Sequence, residues 1–442
     1  MKNLNLLSSL LLLLAICVAC NLNKRPNKQV VHVGEIEKFL NEESFKNSSG
    51  LANANSNIEF WRQKLVSNPK SMVYHAKLAG FYSKRFTILK NIDDLRRADS
   101  LYGRALQLPG GQNAGNLQVM AQLSITKHQF KQAQEYVLQA LEEGSNRATS
   151  YMLLYDALME RGEYEWAKQN LDRLDNKKSF AYRIRLSKYK DYEGDLDSAI
   201  YYMEEAAHRI KHDLTLRAWS QSNLGDMYGH ANRINDSYRS YLKVLQEEET
   251  GGSYLHSLKG IAWIAYAHDD NPELAGKILR FVDSQIESPE VKPMLAELAD
   301  YMNHTKKKEQ YIKAFVTEAK KPIYYGMYNT YLIEFAVTEM NNYEWAMQLV
   351  SEELENRPNP QIYNLEALAF LQQGDAEKAL KIIEEKVKGY TYEPGPVLNM
   401  AKIYKANGMD KEAGKYFKEA LKASYELGPL ATVNIKKELA GL

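Results

Sequence analysis

The sequence predicts an all-α chain built as a stack of antiparallel helix pairs, and three observations carry that prediction. First, residues 397–429 form one complete helix–turn–helix unit. From Ala401, Tyr404 follows three on, Gly408 seven on, Ala413 twelve on, Phe417 sixteen on, and Ala420 and Leu421 nineteen and twenty on. Ala401 and Ala413 fall where two antiparallel helices approach most closely, so only a small side chain fits. Gly408 can take the positive φ that ends the first helix. Tyr404, Phe417 and Leu421 lie at helical spacing and fill the space towards the neighbouring pair. Second, the same offsets return 34 residues upstream, where Ala367 is followed by Phe370, Gly374, Ala379, Ile383 and Val387. Third, the period continues back through origins at Glu334, Ala299, Trp263, Gly225, Ser187, Tyr155, Ala121 and Ala79, ten units whose spacing drifts between 32 and 42 residues.

Taken in order, residues 1–19 stand outside the fold. Lys2 gives a basic start, residues 6–16 are an apolar run too short for the about 20 residues that span a bilayer, and Val18 and Ala19 precede Cys20. This segment resembles a bacterial lipoprotein signal, in which the cysteine after a small-residue site is lipidated and the chain is cut before it. That resemblance implies acylation of Cys20 rather than Cys17, which would place Ile16 at the cleavage step. No other cysteine would remain in the mature chain, so helix packing alone must stabilise it. Residues 20–56 are expected to be a tether and linker: a polar stretch with Lys24, Arg25, Pro26 and Lys28, a short helix over 30–45, and a Ser/Asn/Gly/Ala linker over 48–57. Residues 60–69 suit a half repeat covering the N-terminal end. The repeats fill 57–429. Residues 430–442, with Lys436, Lys437 and Glu438 beside Ile435 and Leu439, suit an amphipathic capping helix.

The units resemble the tetratricopeptide repeat family, whose repeat of about 34 residues has small residues at the helix crossings and an aromatic in each helix. The closest single match is Asn223, Leu224, Gly225, Asp226, Met227 and Tyr228. The resemblance covers 57–429 and implies a right-handed α-solenoid of about ten helix pairs. Length alone would suggest about three globular domains of ~150 residues. Repeats that each contact only their neighbours replace that count with one continuous core.

Composition offers little to a chemical reading. The formal net charge is +1 with 26% charged residues, so no global field favours nucleic acid. The 30 tyrosines fall mostly at packing positions. No phosphate-cradling glycine loop or nucleophile elbow is present, and no enzyme activity, cofactor or metal site is expected. His208 and His212 stand at i, i+4 on a predicted helix but lack a third ligand, and are taken as a solvated face. His128, His230 and His268 fall near predicted turns.

Function is expected in the groove. In the resembled family the first helix of each unit lines a concave face, which implies that Asp226 and Gly229, Lys188 and Asp191, Asp156 and Met159, and Leu398, Lys402 and Lys405 point inwards. The unit at Glu334 offers Tyr328, Tyr331 and Phe335 on one helical face, with Tyr324 and Tyr325 just before. A carboxylate clamp of the kind some family members use is incomplete, since Asn399 and Lys402 face Leu365 and Leu368 on the preceding unit. The expectation is a non-enzymatic scaffold in the bacterial cell envelope, lipid-anchored at the outer membrane, holding a protein partner through Tyr328, Tyr331, Phe335, Lys402 and Lys405. The alternative is a surface glycan-binding lipoprotein of a carbohydrate import system. The lack of long loop insertions between repeats counts against it.

Overall fold

Ten helix pairs follow one another along the chain. They are Met72–Leu89 with Ile92–Gln107, Ala114–Thr126 with Phe130–Glu142, Arg147–Glu160 with Tyr164–Asp172, Phe180–Tyr192 with Leu196–Ala207, and Leu214–His230 with Ile234–Leu245. Pairs six to ten are Ser253–Ala267 with Pro272–Gln285, Lys292–Tyr301 with Thr305–Ala319, Asn329–Thr338 with Tyr343–Asn356, Pro360–Gln372 with Ala376–Ile382 and a π-helical turn, and Pro394–Ala406 with Asp410–Lys422. A computed structural model describes residues 29–46, 48–210, 212–247 and 250–442. The signal segment, Cys20 and residues 20–28 of the expected tether lie outside the described residues. Among the described residues the architecture is an all-α solenoid with no strand.

The pairs are punctuated by a left-handed residue between their two helices. Lys90, His128, Gly162, Gly194, Asn232, Asp270, Asn303, Asn341, Gly374 and Gly408 each have φ between +49° and +89°, one per pair. Only four are glycine. Asn and Asp tolerate this region because their short side chains bond locally, and the others are held there by packing.

The helix crossings confirm the twelve-residue offset. Ser187 Oγ donates to the Ala199 carbonyl at 2.7 Å, and Ser237 Oγ to the Gly225 carbonyl at 2.7 Å. Ala79, Ala121, Ala367 and Ala401 are fully buried at the same place. Three origins differ. Tyr155 is fully buried where a small residue is expected, because its ring runs on to the next pair and its hydroxyl donates to the Arg185 carbonyl at 2.6 Å. Trp263 is only partly buried and Glu334 is exposed; Ala262, Ile333 and Ala336 do the burying beside them.

The coil touches itself. Asn91 Nδ2 donates to Glu287 at 2.5 Å, Arg161 Nη1 to the Asn356 carbonyl at 2.8 Å, Asn359 Nδ2 to the Glu160 carbonyl at 2.8 Å and Asn356 Nδ2 to the His128 carbonyl at 2.7 Å, across 195 to 228 residues of chain. Pair 1 thus meets the end of pair 6, pairs 2 and 3 meet pairs 8 and 9, and Tyr324, 2% exposed, packs into the core of pair 1 with Ile58, Leu78 and Leu95.

Both ends differ from expectation. The stretch expected as a linker is instead the N-terminal part of the helix Ser49–Ser67, which buries Gly50, Leu51, Ala54 and Ile58 on one face. Small residues here allow close packing rather than freedom. Residues 30–45 contain the short helix Val33–Ile36 but are no tether: Val31 and Ile36 are fully buried in the core of pairs 5 and 6, and Asp269 accepts the Val30 and Val31 N–H groups at 3.0 and 2.8 Å. The capping helix begins earlier, at Ser424, and runs to Ala440 with a break at Gly428 before Pro429. His208 and His212 do not share a helix, since the helix ends at Ala207.

Candidate functional site

First helices of pairs 5 to 8 turn the same face inwards, because burying the small crossing residues against the second helices leaves the opposite stripe facing the inside of the coil. That stripe, closed on one side by the start of the C-terminal helix, encloses a cavity of about 690 Å³. Its floor is polar and largely satisfied. Asp226 accepts from Tyr241 Oη at 2.6 Å and lies 2.8 Å from His256 Nε2. Lys259 pairs with Glu290 at 2.6 Å, and Lys308 with Glu339 and Asp300 at 2.9 and 3.0 Å. Trp263 Nε1 donates to the Tyr425 carbonyl at 2.9 Å, fixing the C-terminal helix across the cavity.

Two carboxyl groups here resist ionisation. Burial pushes Glu297 up to about 7, outweighing a hydrogen bond from Tyr266, and Gly428 is packed so close that a Cβ there would stand 2.7 Å from the Glu297 carboxyl. Burial also raises Glu334, against the opposing charge of Lys402, while it lowers Lys402. Each of that pair is exposed at its tip yet surrounded by protein at longer range, as the inside of a coil requires.

The sequence-derived aromatics divide into two roles. All three rings meet the fully buried Phe315 edge-on, with centroids at 5.7 Å for Tyr328, 5.8 Å for Tyr331 and 5.5 Å for Phe335. Tyr331 and Phe335 also line the cavity, together with Thr338, and Tyr331 is 48% exposed. Tyr328 does not line it: its ring is held between Phe315 and Tyr324, 5.3 Å away, and burial raises its phenol. Tyr325 is likewise spent on the fold, with Lys127 Nζ 5.0 Å over its ring. Lys402 faces the interior opposite Glu334, whereas Lys405 is ion-paired to Glu438 of the C-terminal helix and is not a free groove residue. Cys20 lies outside the described residues.

Lys259, Glu290 and Glu297 were not expected in the wall. Placing the sixth origin at Ala262, one residue before Trp263, puts Lys259 three before it and Trp263 one after, both inward positions. Glu297 precedes Ala299 on a helix whose Ala296 and Asp300 also line the cavity, and Glu290 stands in the turn just before that helix.

One αL residue per pair, small buried crossings and an inward stripe make the geometry plain. The fold is tetratricopeptide-like. Solved structures with a similar course include the human IFIT1 dimer (12% identity, TM-score 0.45, covering 89% of this chain and 96% of that one). Others are yeast Tom70 (13%, 0.32, 92% and 96%) and a tetratricopeptide repeat protein of Parabacteroides merdae (18%, 0.34, 59% and 97%). Neither a protein-family model nor a curated protein matches the sequence.

Proposed function

We propose that this protein is a non-enzymatic scaffold, anchored to a bacterial envelope membrane by acyl chains on Cys20, that holds a protein partner against the inner face of pair 8. The observation that carries the reading is Tyr331. Its ring is 48% exposed into the cavity yet braced against the buried Phe315. A rigid ring with an apolar face and a polar tip offers contact area with little conformational entropy left to lose, which is the character of binding hot spots. Phe335 and Thr338 continue the same stripe, and Glu334 beside them adds a polar group to the wall. Among the described residues no group of three His, Cys, Asp or Glu side chains could hold a metal ion, and no helix is long and apolar enough to cross a membrane. In this reading the Cys20 lipid supplies the attachment.

The test is co-purification from detergent-solubilised envelope with wild type, Tyr331→Ala and Phe335→Ala, the bound proteins identified by mass spectrometry. One protein lost in both variants, with Tyr331→Ala still folded and unfolding far closer to wild type than Tyr328→Ala does, is expected. An identical set in all three contradicts the reading, and a glycan lost in place of a protein would favour the carbohydrate alternative.

A further inference from the structure

We propose that the seam between successive turns of the coil holds a second binding site, separate from the wall of pair 8, for an extended proline-containing segment of a partner protein that carries a basic residue. The seam forms where the turns of pairs 3 and 4 meet the start and the end of pair 9. Gly162, at φ +75°, is pressed so closely on the other turn that a Cβ would stand 3.1 Å from Asn359 Cα; a Cβ on Gly194, at φ +77°, would stand 2.8 Å from the Tyr392 ring. Gly162 lines a cleft of about 610 Å³ at this seam, while Gly194 and Tyr392 line its neighbour. A second cavity of about 630 Å³ adjoins it, sharing Tyr164, Tyr192, Pro360 and Tyr390.

The lining decides the ligand class. Trp166, Tyr390 and Tyr392 are 45%, 53% and 63% exposed at this seam, although large rings are ordinarily buried. Tyr164 and Tyr192 stack with centroids 3.7 Å apart, which fixes two more rings in place. No Leu, Ile, Val or Met side chain lines the 610 Å³ cleft. A helical partner would bring aliphatic anchors that need aliphatic pockets, and here there are none. Flat rings instead suit pyrrolidine rings, and a polyproline II segment leaves its carbonyls unpaired to accept from Tyr O–H and Trp N–H groups.

Charge then selects among such segments. Glu163 is paired with Arg161 at 2.7 Å, and Lys386 Nζ sits 5.6 Å over the Tyr363 ring. Glu165 and Glu385 also line the cleft and have no ion pair among the described residues. An Arg or Lys in the ligand supplies the missing partner. A neutral sugar could stack on the same rings and donate hydroxyl hydrogen bonds to these carboxylates, but it would leave their charge uncompensated, so the cationic peptide is favoured.

Fluorescence anisotropy on the detergent-solubilised full chain tests this with a labelled peptide of repeated Pro-Pro-Arg. Three probes accompany it: the peptide with Glu for Arg, the peptide with Ser for Pro, and a linear hexasaccharide. The Pro-Pro-Arg peptide is expected to bind, to bind at least about tenfold more weakly to Trp166→Ala and Tyr390→Ala, and to weaken with Glu165→Gln plus Glu385→Gln. Because both rings are exposed, these variants are expected to unfold as wild type does. Tyr331→Ala is expected to leave this binding unchanged, so failure here and failure of the scaffold reading remain separate results. Absence of binding, equal binding of the Ser peptide, binding that survives Trp166→Ala, or Trp166-dependent binding of the hexasaccharide alone would each overturn the proposal.

Discussion

The Asn356 side chain donates to the His128 carbonyl at 2.7 Å and accepts from the Lys131 N–H at 3.3 Å, so one amide ties pair 8 to the turn of pair 2 across 228 residues of chain. An open spring would leave these groups to water. Asn356→Ala removes both bonds, and each is expected to contribute about 1 kcal/mol. Denaturant unfolding measures the loss, and amide hydrogen exchange at Lys131 should accelerate while exchange in pair 10 does not. Unaltered exchange at Lys131 would mean that the turns touch without supporting one another.

His128 makes the same junction sensitive to acid. Burial, assisted by the charge of Arg357, lowers its imidazole to about 4 from the ordinary 6.5. The unfolded chain therefore binds the proton first, and stability is lost as pH falls from about 6.5 to about 4. His128→Asn keeps a residue that tolerates φ +57° and removes the titration. The variant should lose less stability than wild type between pH 7 and pH 5 in paired denaturant titrations. Glu297 acts oppositely: its raised value, about 7, makes stability fall as pH rises from about 4.5 to about 7. Comparing variant with wild type at each pH separates the two. An equal loss in both chains would show that His128 is not the group responsible.

Glu353 and Arg357 form an ion pair at 2% and 5% exposure, with Asn329 Nδ2 donating to the same carboxylate at 2.9 Å and the guanidinium 5.5 Å over the Phe130 ring. Glu353→Ala leaves a buried cation without its counter-charge and is expected to cost about 3–5 kcal/mol in thermal or denaturant unfolding. A change below about 1 kcal/mol would place this pair in contact with water, where such pairs are weak.

Tyr328 and Tyr331 sit three residues apart and should behave differently. Tyr328→Ala empties the space between Phe315 and Tyr324 and is expected to cost about 3–5 kcal/mol of stability. Tyr331→Ala should cost clearly less, because half of its ring already faces the cavity. Equal losses in a melting experiment would show that both rings are core.

Helical periodicity made the ten pairs legible, and the offsets from Ala401 carried over to Gly225 and Ser187 with the crossing contacts intact. Punctuation was less legible, since six of the ten left-handed turns use Lys, His, Asn or Asp rather than glycine. Local pattern also misled at 48–57, where Gly50 and Ala54 serve close helix packing, Gly50 against Ile88, and the polar residues around them cover the outer face of the helix. What no local reading could reach is the meeting of turns. Tyr328 shares a helical spacing with Tyr331, and Tyr324 and Tyr325 come just before it, but contacts to pairs 1 and 2 and to Phe315 decide that these three are structural.

The claim that Tyr331 presents the partner-binding wall is tested most directly by placing a photo-crosslinking amino acid at position 331 in cells, with position 201 as control. Tyr201 is 54% exposed and does not line the cavity, so it reports contact made elsewhere on the surface. A single envelope protein crosslinked from position 331 and not from 201, and lost when Phe335→Ala is added, is the result expected. No crosslinked protein from 331, or the same products from both positions, would contradict the account.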